Sequence, residues 1–442
     1  MKKTLLLLIL CLQGLFSTAQ QTTLTVFNEI LFYDGYAGVV SFPVPEGVIR
    51  HRNDLYAKKL TDAQLAAFGT TLTADVTIKA ACDNYDRIGN VNLAFVPKGA
   101  TTYVPSEVQR IELGRFITPF MNKNIAPTQV PYTFNVDNIA KILKDPTILA
   151  AYDIWAELEV FGVPYAAQTQ VSGCTGRNDV FYGTLKLVSN SETQSVVPSF
   201  LLPLNFKKDL NNYAAGASDA VGQTVRTITF TLSEQVLNAK MYLITSNHGA
   251  NSGGEEYNRR QHNIFVDDVL KLQYTPGGLS CEPFRMFNTQ GNGIYGPVPR
   301  TLATWASFSN WCPGDVIPIR TIALGDLAPG VHTFKITVPT AVFANQEGYI
   351  PVSVYLQGVK YSLGTEEFNT TTFSLYPNPT NGQVTIQSEE AVKSAVVYNM
   401  LGQQVWKGST KQIDLSGSQP GVYTVQIEFA NEHKATQKIV RK

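Results

Sequence analysis

The chain has 442 residues, with 35 Lys and Arg set against 35 Asp and Glu, so its formal charge is zero. That balance excludes the basic surface that nucleic acid or anionic lipid demands. Only 16% of residues are charged while Tyr, Phe and Trp make up 11%, a composition suited to an extracellular protein built from sheets.

Residues 1–20 read as a secretory leader, with Lys2 and Lys3 as the positive start, Leu5 to Leu12 as the apolar core and Ser17-Thr18-Ala19 as the cleavage site. Its loss removes two positive charges. The apolar run is too short to span a bilayer, and no other segment approaches eighteen unbroken apolar residues, so no membrane span is expected. Helix is scarce. Thr61 to Gly69 reads as a short capped helix, with a capping-box spacing from Thr61 to Gln64 and Gly69 as its stop, and Asn138 to Leu143 is a second candidate. Short alternating runs dominate the rest, among them Val91–Val96, Thr227–Leu232, Thr333–Val338 and Val352–Leu356, separated by frequent turn residues. That rhythm argues for an all-β protein made of sandwiches rather than βαβ units. The roughly 350 residues between the leader and residue 373 suit two β-domains. A polar stretch over 189–194 divides them into 21–188 and 189–362, and a linker over 363–372 leads to a small β-sandwich over 373–442.

Cys11 leaves with the leader. Cys82, Cys174, Cys281 and Cys312 remain, an even number that reads as disulfides in a secreted protein, with three pairings open. The absence of any Cys-x-x-Cys argues against structural zinc.

Candidate chemistry gathers in three places. Cys82-Asp83-Asn84-Tyr85-Asp86-Arg87 combines a cysteine, two acids, an aromatic ring and an arginine. Asp86 is the first choice for a working carboxylate, with Arg87 beside it to hold the ionised form; taken alone, such a pair more often ties down a loop. Glu256 lies in a polar, glycine-containing loop from His248 to His262 that suits close approach to a ligand. Glu157 and Glu159 share one face of an alternating strand with Trp155, a placement unlike an apolar core and equally compatible with solvent. Tyr85 and Tyr257 adjoin the two main acids, where an aromatic face would suit a sugar ring.

Three motifs taken in order, Cys82–Arg87, Gly114-Arg115-Phe116-Ile117-Thr118-Pro119-Phe120 and Trp311-Cys312-Pro313-Gly314, resemble the bacterial peptide-N-glycosidase F family, amidases that remove N-linked glycans from asparagine. The resemblance covers roughly residues 75–345 in patches. It implies two adjacent antiparallel jelly rolls with a site in the cleft between them, and hydrolysis of the β-aspartylglucosamine bond of an N-glycoprotein or N-glycopeptide. It also implies Asp86 as the primary acid or base, Glu256 and then Glu157 as residues that position substrate or water, and Arg87, Tyr85 and Tyr257 in substrate binding. A Cys281–Cys312 bridge is implied as well, leaving Cys82 and Cys174 to each other, although the family more often bridges its first motif locally. No metal or organic cofactor is implied, and a monomer is expected.

Two departures stand out. Where the family carries Asp-Arg-Ala-Gly before Trp-Cys-Pro-Gly, this chain reads Ser307-Phe308-Ser309-Asn310, and the family's tryptophan near the third acid is replaced. They support an alternative, an altered or inactive glycan-binding protein on the same scaffold. Copper monooxygenases use comparable paired jelly rolls, but the mature chain's five histidines (His51, His248, His262, His332 and His433) include no His-x-His pair, which rejects that reading. Residues 373–442, with Tyr376-Pro377-Asn378-Pro379-Thr380-Asn381-Gly382 near the start and Arg441-Lys442 at the end, resemble the C-terminal sorting domain of the type IX secretion system of Bacteroidetes. That implies contact with the secretion machinery and release to the cell surface or beyond.

Overall fold

The computed structural model describes residues 21–192, 199–250, 254–291, 293–306, 310–360, 373–430 and 434–442. The leader over 1–20, the linker over 363–372 and the Ser307–Ser309 departure lie outside them. The chain forms two compact units, one up to residue 361 and one from residue 362.

Nine strands open the first unit: β1 (Gln21–Tyr33), β2 (Val48–Arg52), β3 (Leu55–Lys59), β4 (Thr73–Ala80), β5 (Ile88–Pro97), β6 (Gln109–Ile117), β7 (Gln129–Asn135), β8 (Tyr152–Val160) and β9 (Asp179–Asn190). Nine more complete it: β10 (Ser199–Leu210), β11 (Val225–Leu232), β12 (Val236–Thr245), β13 (His262–Val266), β14 (Val269–Tyr274), β15 (Val316–Ile317), β16 (Arg320–Leu327), β17 (Gly330–Thr337) and β18 (Ile350–Lys360).

The first sandwich stacks β1-β9-β4-β7 on β15-β6-β5-β8-β3-β2, and the second stacks β10-β18-β12-β16 on β11-β17-β13-β14. All pairings between these strands are antiparallel. Side chains such as Phe32, Tyr56, Ile78, Phe116, Phe134 and Phe181 fill the first core. Met241, Leu243, Ile264, Phe334, Ile336 and Leu356 belong to the second. Strands with one wet face alternate as expected, β4 and β7 without a break. β5 and β8 lose the alternation because both of their faces are covered, one by the facing sheet and one by polar contacts that reach the second sandwich. Lys207 on β10 meets Glu159 on β8 at 2.7 Å, and Arg115 on β6 reaches the Pro351 carbonyl on β18 at 2.8 Å.

The short helix over Asp62–Ala66 carries the expected reciprocal cap between Thr61 and Gln64, and a second runs over Asp137–Ile142. Both disulfides form: Cys82–Cys174 ties the loop after β4 to the loop before β9, and Cys281–Cys312 closes a shorter loop in the second half.

The second unit is a small sandwich by itself. Its strands are β19 (Phe373–Tyr376), β20 (Gln383–Ser388), β21 (Val392–Tyr398), β22 (Gln404–Gly408), β23 (Gln412–Asp414), β24 (Gly421–Phe429) and β25 (Lys434–Arg441). They form sheets β19-β20-β23 and β22-β21-β24-β25 around Val397, Ile413, Val425, Phe429 and Ile439.

Candidate active site

The three sequence motifs converge at the end of β6. Thr118, one residue beyond that strand, accepts the Arg87 N–H on its hydroxyl at 2.8 Å and donates the same hydroxyl to the Tyr85 carbonyl at 3.0 Å. Its own N–H bonds the Arg87 carbonyl at 2.8 Å, so the loop carrying Asp86 is clamped from both sides. Beside it, β15 adds to the free edge of β6 and brings the segment after Trp311-Cys312-Pro313-Gly314 from the second half onto the first sandwich. Trp311 in turn donates its indole N–H to the Asn247 carbonyl at 2.9 Å, just upstream of the Glu256 loop.

That loop is held tightly at its base. His248 and Tyr349 exchange both backbone hydrogen bonds, at 3.0 and 3.1 Å. Gly249 and Gly348 lie against each other with φ of +127° and +82°, and a Cβ on Gly348 would fall 2.2 Å from the His248 carbonyl, so the crossing needs glycine. Farther along, the Asn310 amide donates to the carbonyls of Glu255 and Glu256 at 2.8 and 2.7 Å. Glu255 turns inward and is fully used, with the Arg260 guanidinium at 2.9 Å and the Val342 N–H at 2.8 Å. Glu256 is left within electrostatic reach of Asp86.

The two acids meet electrostatically across the sandwich boundary. Burial pushes the Asp86 carboxyl up to about 7 despite the nearby Arg87 charge. Burial also raises Glu256 to about 7, and the Asp86 charge adds to that rise. The Tyr257 phenol hydrogen-bonds the Glu256 carboxyl, and burial together with both acids raises its own pKa. The charge on Asp86 thus disfavours ionisation of Glu256.

Arg87 does not do what adjacency suggests. Its Nε donates to Asp83 at 2.7 Å, with Nη2 3.4 Å from the other Asp83 oxygen. Asp83 is fully buried and also accepts the N–H groups of Tyr85 and Val163 at 2.9 and 2.7 Å. Arg87 thus neutralises Asp83, and its pull on Asp86 is too weak to outweigh burial. The guanidinium lies over the Tyr85 ring at 5.3 Å and near Phe161 at 6.0 Å.

Glu157 lies outside this group. It is fully buried, and its oxygens accept from Tyr103 at 2.7 Å, Arg110 at 2.5 Å and Asn92 at 3.2 Å. The expectation that an acid on this strand avoids the interior is corrected: neighbouring segments supply enough donors to satisfy both of its oxygens there. Glu159 pairs with Arg52 and Lys207, each at 2.7 Å, and burial is outweighed by those cations, holding it down at about 2.

Sequence reasoning missed the aromatic rim. Tyr36 is 80% exposed and packs edge-on against Phe161 at 5.2 Å, while Tyr165 is 64% exposed and within electrostatic reach of Arg87. Tyr349, also exposed, senses both Tyr36 and Glu256. Tyr295 senses Asp86 from the disulfide-closed loop. An exposed tyrosine between glycines, as in Gly35-Tyr36-Ala37-Gly38, was the available signal.

Comparison with known proteins identifies the family and the fold. The family model described as peptide-N-glycosidase F, N terminal, matches residues 23–175, and its C-terminal counterpart matches 213–357. The N-terminal match begins well upstream of residue 75, where the recognisable motifs begin. A third model, the secretion system C-terminal sorting domain, matches 374–442, which marks the chain for the cell surface or the extracellular space. No curated protein matches the sequence significantly. Among solved structures, PNGF-II is similar at 19% identity and a TM-score of 0.57, over 80% of this chain and 68% of that one. PNGase F, a glycosylasparaginase from Flavobacterium meningosepticum, follows at 14% identity and 0.48, over 78% and 97%.

Proposed function

The chain belongs to the peptide-N-glycosidase F family, and we propose that it is a secreted amidase hydrolysing the bond between asparagine and the first N-acetylglucosamine of an N-glycoprotein or N-glycopeptide. The observation that carries this reading is the Asp86–Glu256 pair, two desolvated carboxyls raised to about 7 and within electrostatic reach of each other in a tyrosine-rimmed site. An amide resists hydrolysis because water is a weak nucleophile and the amine a poor leaving group, so a base and an acid are both needed. In its ionised form Asp86 takes a proton from water as the water oxygen bonds to the side-chain carbonyl carbon. Protonated Glu256 gives its proton to the nitrogen as the carbon–nitrogen bond breaks. Aspartate and a glycosylamine result, and the glycosylamine then loses ammonia to water.

Arg87 contributes through Nη1, which makes no hydrogen bond among the described residues. Aimed at the carbonyl oxygen, it would stabilise negative charge developing there. Tyr257 donates to the Glu256 carboxyl and fixes its orientation, and the faces of Tyr85 and Tyr257 suit the apolar side of a pyranose ring. Glu157 takes no part in the proton transfers: with both oxygens engaged, it ties β8 to β5, to β6 and to Tyr103. The free Nη1 also answers the missing arginine before Trp311, since the reaction retains one cation.

Incubation of the full secreted chain with an N-glycopeptide tests this. Conversion of the glycosylated asparagine to aspartate, reduced about a hundredfold or more in Asp86→Asn, is the expected result. Retention of glycan by the protein with the peptide intact would favour a glycan-binding protein instead.

A further inference from the structure

The end of β6 and the residue after it reach the loops of both acids within four residues. Thr118 clamps the Asp86 loop, as described above. Arg115 points the other way, into the second sandwich, and is fully buried. A buried guanidinium is costly unless its donors are used. Nε and Nη2 fork onto buried Glu112 at 2.8 and 2.7 Å, and Nη1 donates to the Ser246 hydroxyl and the Pro351 carbonyl, both at 2.8 Å. Ser246 and Pro351 lie beside the two partners of the His248–Tyr349 bridge, the base of the Glu256 loop.

From Ser246 the contacts run on to the acid. The Ser246 hydroxyl lies 2.8 Å from His248 Nε2. Burial and the Arg115 charge hold His248 down at about 3, so its ring is neutral and Nε2 can accept the hydroxyl proton while the hydroxyl oxygen accepts from Arg115. One residue later, Gly249 accepts the Glu256 N–H at 3.3 Å and places its own N–H 3.4 Å from Glu256 Oε2.

We infer that Arg115 is a positioning residue that sets the separation of the Asp86 and Glu256 carboxyl groups, acting through Ser246 and the His248–Gly249 backbone; the inference rests on the acid-pair reading above. A general fastening role would be served by any contact between the sandwiches. Here both Nη1 bonds end at the root of the loop that carries Glu256, while Thr118 on the same strand end holds Asp86. The two carboxyls are therefore referenced to one piece of backbone.

Carbon-13 NMR titration of the side-chain carboxyls tests this in the full chain without substrate, with Asp86→Asn and Glu256→Gln used for assignment. Ser246→Ala removes the link but leaves the Arg115–Glu112 fork, and Arg115→Lys keeps the charge but loses the fork. The groups facing the pair (Asp83, Arg87, Tyr257, Tyr295 and Tyr349) stay unchanged in both, so a shift reports geometry rather than lost charge. Each variant is expected to move the Glu256 midpoint by about half a pH unit or more, and to lower kcat about fivefold or more while KM stays within about twofold. Lower melting temperatures with parental midpoints and parental kcat would overturn the inference and leave Arg115 as interface packing. Should Arg115→Lys fail to fold, Ser246→Ala decides alone. If the parent leaves glycopeptide intact, the amidase reading fails, yet the NMR midpoints still judge Arg115.

Discussion

Asp86 should lower the stability of the fold at neutral pH, and removing its charge should raise it. Its pKa rises from 3.8 in an unfolded chain to about 7 here, chiefly through burial. A rise of that size corresponds to about 4 kcal/mol against the ionised form. Asp86 keeps some exposure, so solvent screening reduces the usable figure to about 2 kcal/mol. The sign follows from proton binding: between 3.8 and about 7 the folded state holds the Asp86 proton while the unfolded state has released it. Stability is therefore full below the unfolded value and falls as pH rises through this window. Asp86→Asn should melt with the parent near pH 4 and a few degrees above it near pH 8, followed by calorimetry of the full chain. The transition to watch is that of the larger unit, since the sorting domain can melt separately. An equal melting temperature at both pH values, or a loss at pH 8, would refute the claim that burial governs this carboxyl.

Other outcomes follow from the same geometry. Glu256 is raised partly by the Asp86 charge, so in Asp86→Asn its carboxyl midpoint should fall below about 7, read by carbon-13 NMR. With both acids near 7, kcat/KM should follow a bell with its maximum close to neutrality, and Glu256→Gln should remove the alkaline limb. Asn310→Ala frees the carbonyls of Glu255 and Glu256 and should cost about 1–3 kcal/mol of stability along with most of the activity, measured by melting and turnover. Cys82→Ser with Cys174→Ser opens a loop of 92 residues next to the Asp86 motif and should cost about 4 kcal/mol in urea unfolding.

Much of this protein can be read from its residues because the informative features are local. The motif of Cys82 to Arg87, the turn chemistry around Trp311 to Gly314 and the alternation in β4 and β7 each depend on neighbours a few positions away. The role of Arg87 does not. Asp83 and Asp86 are both close to it in sequence, but only the fold shows that the chain turns back to set Asp83 against the guanidinium, with the Val163 N–H arriving from another strand end. Glu157 misleads for the same reason. Alternation tells which face it shares with Glu159, whereas the donors that let it be buried come from Tyr103, Arg110 and Asn92 on other segments. Arg115 looks like a strand-end residue until two of its four hydrogen bonds are traced across the sandwich boundary to Ser246 and Pro351.

The most direct test of the amidase reading is to run the reaction on an N-glycopeptide in water enriched with oxygen-18 and to locate the label by mass spectrometry. Attack on the side-chain amide predicts one heavy oxygen in the new aspartate of the peptide and none retained by a sugar left on asparagine. Label found only on the released glycan, with N-acetylglucosamine still attached to the peptide, would mean a glycosidase and contradict the account; an unlabelled, intact glycopeptide would contradict it equally.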